Sequence, residues 1–267
     1  MTSEEIFPYS TLPKVQVEAC PVCHTTGNPV RPATDRYGFA VFPSRCAECY
    51  LRYLTEQLTR EGYARLYNGA YRPLICHATR DRSSGQHPDL ATYDQLLLGA
   101  QRNYGRLLGD FVRGRVATGG SYLDAGGSSG TTVLHMGLQP ARVTVLDPAR
   151  QELAQAPATV QAVSGWLEDP IPGGPYDGIV CAQTMDHVTD PIAALQHCRD
   201  ACPNGWLVAD FACWPTDLKI DHPVTWHPIA WERALTATGW TSRVHRPVYG
   251  HGNKGGRQLS HVVTLAR

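Results

Sequence analysis

The stretch Tyr122–Gly130, YLDAGGSSG, decides how the rest of the chain is read. An apolar run ends in Asp124, a turn of small residues follows, and TTVLHMG has the look of a helix start. Downstream, apolar runs of strand length alternate with helical patterns. RVTVLD is a strand ending in Asp147, ARQELAQA a helix, TVQAVSG and YDGIVCAQ strands, and DPIAALQHCRDAC a helix stopped by Asn-Gly. WLVADFA is a further strand, and HPIAWERALTATG a helix closing at Gly239. TSRVHRPVYG and QLSHVVTLAR read as two last strands around HGNKGG. Upstream, the spacing predicts a helix from about Tyr93 to Val112, with Leu96, Leu97, Ala100, Tyr104, Leu107, Leu108 and Phe111 on its buried side. Such alternation specifies an α/β fold, a doubly wound Rossmann-like sheet that is mostly parallel and covered on both faces. The final pair predicts an antiparallel C-terminal hairpin.

In such sheets, ligands sit beyond the carboxyl ends of the strands, where strand order reverses. A nicotinamide fingerprint would space its glycines G-x-G-x-x-G. Here Gly126 and Gly130 are four apart, and Ser128 stands where a middle glycine is usual. Asp124 just before the glycines would repel a pyrophosphate and suits a cofactor with a cationic amino-acid tail. Asp147, at the end of the next strand, can accept both hydroxyls of a ribose. Ser128 adds one small carbon and a hydroxyl; it either contacts the cofactor or fits beside it.

The first seventy residues form a separate unit. Cys20-x2-Cys23 and Cys46-x2-Cys49 supply four thiolates suited to tetrahedral zinc. Four protein ligands leave no open position, so this metal would be structural. The segment that follows, YLRYLTEQLTREGYARLYNGAYR, places Leu51, Leu54, Leu58, Tyr63 and Leu66 at near-helical spacing and predicts one or two helices. Residues 73–92 are polar and broken by Pro, Gly and Ser, as in a linker or a lid. The five other cysteines are scattered and read as small apolar residues.

Bulk properties narrow the function. The chain has 267 residues, 42% hydrophobic content and zero formal net charge. Through Arg72 there are eight basic residues against seven acidic ones, so the cysteine-bearing unit offers no basic patch. Nucleic acid is therefore a disfavoured partner and a folding or substrate-capping role is favoured. No apolar run approaches the roughly 20 residues of a membrane span. The acidic start MTSEEIFPYS lacks an apolar signal core, so a cytoplasmic location is expected and no membrane partner.

YLDAGGSSG, VTVLDP, SGWLEDPIPGGPYDGIVCAQTMDHVTDP and HPIAWERALTATGW resemble the successive motifs of class I S-adenosylmethionine-dependent methyltransferases, over about residues 93–267. The paired cysteines followed by LYNGAYR resemble the N-terminal module of zinc-containing sugar C-methyltransferases. The resemblance implies three parts: a zinc-binding module with helices over 1–72, the linker or lid over 73–92, and a methyltransferase domain over 93–267. It implies two cofactors, S-adenosyl-L-methionine and a structural Zn2+. By position, Asp124, Gly126, Ser128 and Gly130 would surround the methionine portion, and Asp147 would hold the ribose. Trp166 and Leu167 would flank the adenine, although many relatives carry an acid at the position of Trp166. Gln183 would face the methionine end, and Tyr71, with Tyr67, would close the pocket or simply pack in helices. The resemblance also implies an acid–His pair, Asp221 with His222 as base. His187, in TMDHV, is the second candidate, at a position where such a pair is common in this fold without chemical duty. The expected activity is methyl transfer to a small molecule, a nucleotide-sugar or specialised metabolite, at carbon or oxygen. A ribosomal-RNA methyltransferase and a non-catalytic S-adenosylmethionine-binding protein are the alternatives; the oligomeric state is left open.

Overall fold

The computed structural model describes residues 2–79, 89–116, 119–138, 142–212, 218–251 and 257–267. Its centre is a seven-stranded sheet: β1 (Tyr122–Ala125), β2 (Val143–Asp147), β3 (Gln161–Ser164), β4 (Gly178–Ala182), β5 (Trp206–Ala212), β6 (Ser242–His251) and β7 (Arg257–Ala266). The spatial order is β3-β2-β1-β4-β5-β7-β6. Pairs from β3 through β5 are parallel, and β7 runs antiparallel to both β5 and β6. The expected doubly wound sheet with its antiparallel C-terminal hairpin is thus present. Order reverses between β1 and β4, where a crevice opens above the strand ends.

The central strands β1, β2, β4 and β5 are buried on both faces. On one face Leu123, Ala125, Ile179, Cys181, Leu207 and Ala209 pack with α6 (Pro191–Ala201) and α7 (Pro228–Ala237). On the other, Tyr122, Val143, Val145, Val180 and Val208 meet Leu108 and Val112 at the end of the long helix Leu90–Phe111. This alternation is the two-residue period of a pleated strand. Helix starts follow their sequence cues. Asp190 caps α6 ahead of Pro191, and His227 caps α7 ahead of Pro228. Cys181, Cys198 and Cys202 are buried in the first of these cores as free thiols. No helix among the described residues is long and apolar enough to cross a membrane.

Three sequence expectations are corrected. The long helix starts at Leu90, and Asp89 caps it through the Thr92 N–H. Leu96 and Leu107 point to solvent, 63% and 38% exposed, while Leu97, Tyr104 and Leu108 face inward. Leucines on adjacent positions cannot all share one stripe at 3.6 residues per turn. Leu51 to Leu58 is not helical. Arg52–Leu54 pairs with Pro43–Cys46, and Glu56–Leu58 pairs with Lys14–Gln16. Cross-strand partners far away in sequence overrode the three- and four-residue leucine spacing. Helix returns at Arg60–Arg65, widens over Leu66–Ala70 with Asn68 at ψ 18°, and runs on through Tyr71–Ala78, so the chain is helical well past residue 72. Residues 80–88 of the expected linker or lid, and residues 252–256 of the loop between the last strands, lie outside the described residues.

The N-terminal unit is fastened to the sheet domain by the chain itself. Its antiparallel sheet is ordered Val224–Thr225, Arg52–Leu54, Pro43–Cys46, Gly27–Pro29, so a segment following β5 forms its edge strand. Trp226, next in sequence, is fully buried against Phe211 and edge-on to Trp231, and its indole N–H donates to Met185 O at 2.8 Å. Trp226→Ala is expected to lower unfolding stability by about 3–5 kcal/mol, the range for truncating a large buried aromatic. Urea titration followed by circular dichroism checks this.

Candidate functional site

The turn after β1 builds the floor of the site. Gly126 takes φ +70°, and a Cβ there would meet the Thr184 side chain at 2.5 Å. Thr184 in turn donates to Ala125 O, stitching the β1 turn to the end of β4. Ser128 also takes a left-handed backbone, φ +54°. The glycine normal at that position is therefore conformationally apt, and serine adopts the same angles at about 1–2 kcal/mol. Its hydroxyl donates to Glu152 at 2.9 Å, and its N–H donates to Asp147 at 2.8 Å.

Two carboxylates flank this turn, and they differ. Asp147 has partners: Oδ2 accepts from Ser128 and Oδ1 from the Ala149 N–H at 2.7 Å. Burial nonetheless pushes it up to about 6, against those backbone bonds. Asp124 is fully buried with neither oxygen partnered. Burial, then the charge of Asp147, raises it to about 7. An unpartnered buried carboxylate is costly unless something cationic completes it.

A pocket opens over this floor. Asp147, Gly165, Trp166 and Leu167 line one end, Gly126, Ser128 and Gln183 the middle, and Tyr67, Tyr71, Tyr93 and His187 the cover. A second recess shares Gly126, Ser128, Ala182 and Gln183 and continues past Asp124 to Gln101, Tyr104 and Thr132. The predicted cofactor residues Tyr71, Asp124, Gly126, Ser128, Asp147, Trp166, Leu167 and Gln183 therefore line one connected space. Gly130, φ +76°, instead caps the following helix and packs beneath the loop near Val145. Trp166, expected to flank the adenine, lies under the Arg60 guanidinium, 5.3 Å from ring centre. Glu168 accepts from the N–H and hydroxyl of Thr189 at the pocket edge.

These donors fit S-adenosylmethionine. The unpartnered Asp124 carboxylate suits the ammonium of the methionine tail, Asp147 the ribose, and the lining side chains Trp166 and Leu167 a flat base. The cover was only partly legible in sequence. Asn68 bonds to Pro148 O and receives the Arg150 N–H, pinning the helix of Tyr67 and Tyr71 to the turn after β2. Arg72 pairs with Glu152 and with Asp94, tying the same helix to the floor and to the long helix. LYNGAYR gave these residues away as a cluster, but not their partners.

Of the two candidate histidines only His187 lines the pocket, and His222 packs against it. His187 and His222 have ring centres 4.2 Å apart. His222 Nδ1 lies 2.7 Å from Asp186 Oδ2, while its Nε2 is 3.6 Å from Asp221 Oδ2. The acid nearest His222 is thus Asp186, which sequence reading passed over, and Asp221 is the more distant one. Burial would raise both acids, but the charge of His222 holds both below the usual carboxylate range. His187 accepts or donates at 3.2 Å with the Tyr67 hydroxyl. Burial, then the charge of His222, lowers it to about 4, so it is neutral at physiological pH.

The four knuckle cysteines also converge. Cys20, Cys23, Cys46 and Cys49 place their sulfurs within 4.8 Å of one another, and Cys20 and Cys49 are 3.6 Å apart. Zinc–sulfur bonds of about 2.3 Å set tetrahedral sulfur separations of about 3.8 Å, so the cluster fits the ion. The two knuckles are built alike. His24 and Tyr50, each following the second cysteine, take left-handed backbones, and their N–H groups reach Cys20 O and Cys46 O. Outer donors point at the sulfurs: Thr25 to Cys46 and Arg233 to Cys23. Zinc there would hold the two knuckles together and take no part in chemistry. Metal analysis is expected to find about one zinc per chain, and Cys46→Ser is expected to lower zinc content and affinity.

Comparisons with known proteins agree with this architecture. No curated protein matches the chain. The S-adenosylmethionine-dependent methyltransferase of Clostridium acetobutylicum superposes with TM-score 0.51 at 10% identity, covering 66% of this chain and 96% of that one. The glycopeptide N-methyltransferase MtfA superposes with TM-score 0.49 at 14% identity, covering 62% and 90%. The profile described as methyltransferase domain matches residues 99–248. That span is more than half of the sequence and contains the β1 turn, Asp147 and both candidate histidines, and the chain belongs to the methyltransferase-domain family.

Proposed function

We propose that the protein transfers a methyl group from S-adenosylmethionine to carbon or oxygen of a small polar molecule, with a nucleotide-sugar or specialised metabolite as the acceptor class. One observation carries this reading: a pocket runs from Asp147 to His187, a recess sharing Gly126, Ser128 and Gln183 with it reaches the unpartnered Asp124, and His222 packs against His187. Bound S-adenosylmethionine supplies a methyl group on a positively charged sulfur. Asp124 receives the cationic tail, Asp147 the ribose, and Trp166 and Leu167 the adenine. The tyrosine faces of Tyr67 and Tyr71 favour a nearby cation. Methyl transfer then depends mainly on alignment of donor and acceptor, which the closed aromatic cover enforces.

An acceptor hydroxyl or acidic carbon must also lose a proton. In this reading His222 takes it, oriented through Nδ1 by Asp186, with Asp221 offsetting the imidazolium charge that forms. His187, neutral and bonded to Tyr67, packs against His222 and shapes the acceptor end. The balanced charge of the N-terminal unit supports a small acceptor over RNA. The buried free thiols support a reducing, cytoplasmic setting.

Two outcomes are expected. His222→Ala lowers transfer of labelled methyl to a panel of nucleotide-sugars and hydroxylated metabolites by roughly a hundredfold or more. Cofactor affinity by calorimetry stays within about twofold in that variant; unchanged turnover removes His222 from the mechanism. Separately, cofactor affinity rises with pH through about 7. The Asp124 carboxyl, raised to about 7, must ionise to hold an ammonium, so binding releases its proton. Asp124→Asn is expected to bind weakly with a flat pH profile between 6 and 8; a wild-type profile in that variant removes Asp124 from the ammonium site.

A further inference from the structure

The backbone of the segment carrying Asp221 and His222 is bonded to the N-terminal unit. Val224–Thr225 pairs antiparallel with Arg52–Leu54, and the Leu54 N–H donates to Pro223 O at 2.9 Å. Arg52–Leu54 is itself paired to Pro43–Cys46, the strand that ends in a knuckle cysteine. A second grip comes from the hairpin formed by Ala33–Thr34 and Ala40–Val41. Asp35 at its tip is buried, and Oδ2 accepts the Ile220 N–H at 3.1 Å. Oδ1 of the same side chain accepts the N–H groups of Tyr37 and Phe39, which fixes the tip.

Tyr37 makes the contact closest to the chemistry. Its hydroxyl donates to Asp221 Oδ2 at 2.8 Å, the oxygen that lies 3.6 Å from His222 Nε2. Arg36 donates to that hydroxyl at 2.6 Å and lies 3.9 Å from the same Asp221 oxygen. Asp221 Oδ1 is buried and has no partner, so the Tyr37 bond sets which way the carboxylate turns. Tyr37, Phe39 and Ile220 share one apolar cluster, which holds the hairpin against the segment.

We propose that the hairpin of the zinc-bearing unit is a positioning device for His222: Tyr37 orients Asp221, Asp35 fixes Ile220, and together they hold the imidazole in place against His187, whose ring lines the methyl-transfer pocket. The inference rests on the reading of His222 given above and assigns the N-terminal unit a part in catalysis beyond folding. Tyr37 and Asp35 are positioning residues. Neither is among the residues that line the cofactor pocket, so their loss spares cofactor binding.

The test uses the full zinc-loaded chain and two variants, Tyr37→Phe and Asp35→Asn. Side-chain 15N spectra of histidine-labelled protein report the tautomer and hydrogen bonding of each imidazole nitrogen, with the His222 signals assigned through His222→Gln. Tyr37→Phe keeps the ring and the apolar packing; it is expected to move the His222 signals and leave those of the other histidines in place. Asp35→Asn is expected to speed amide exchange over residues 218–225 about tenfold or more, in line with hydrogen bonds to charged groups. Both variants keep S-adenosylmethionine affinity within about twofold. Unmoved His222 signals in Tyr37→Phe together with unchanged exchange in Asp35→Asn overturn the proposal. Turnover of His222→Ala is scored apart. Full turnover there defeats the base reading alone; lost turnover there, with unmoved His222 signals in Tyr37→Phe and unchanged exchange in Asp35→Asn, defeats the hairpin proposal alone.

Discussion

Burying aspartate carboxylates is the constraint around which the rest of the site is arranged. Asp124, Asp147, Asp186, Asp210 and Asp221 are all buried, between 0% and 8% exposed. Each would be unfavourable in an apolar setting without partners. Asp147 is answered by backbone N–H groups, Asp186 by His222, and Asp221 by Tyr37 and His222. Asp124 has no partnered oxygen and Asp210 is faced by Tyr104 and Gln183, and burial pushes both up to about 7.

The sign of their effect on stability follows. An Asp whose folded pKa lies above its unfolded value of about 3.9 holds a proton in the native state that the unfolded chain has released. For Asp124 and Asp210 the native state therefore loses stability as pH climbs from about 4 to about 7, and the loss is complete above that. Asp186 and Asp221, shifted down, act oppositely: their contribution is present above the unfolded value and fades as pH falls below it. A cation seated on Asp124 would cancel part of the first effect, so ligand binding and stability are coupled through one side chain.

The N-terminal unit and the sheet domain share more than a surface. Three of the knuckle cysteines belong to the same apolar cluster as Phe211, Trp226 and Trp231. The strand Val224–Thr225 leaves the sheet domain, completes the N-terminal sheet, and carries the histidine segment with it. Ordering the knuckles therefore orders the segment that carries His222. The wide turn Leu66–Ala70 plays the matching role across the pocket, where Asn68 sets Tyr67 and Tyr71 near the turn after β2. Local departures from ideal helix geometry of this kind often mark functional positions.

By itself the sequence determined the sheet, because alternation of strand and helix periods is a local signal that tertiary packing rarely overturns. It also determined the knuckles, since Cys-x2-Cys closes a turn whatever surrounds it, and the floor residues Asp124, Gly126 and Asp147, whose places are set by strand ends. Tertiary structure decided what depends on long-range pairing. Leu51 to Leu58 became strand because partners at Pro43–Cys46 and Lys14–Gln16 were available. Leu96 and Leu107 turned outward because only one stripe of the long helix meets the sheet. Asp186 became the nearest acid to His222 although Asp221 is its chain neighbour, because the chain turns tightly over Lys219–His222 and the imidazole meets the segment that follows β4. Tyr37, 184 residues from Asp221, carried no sequence signal for its role. A hydrogen bond across that separation exists only once two sheets have been joined.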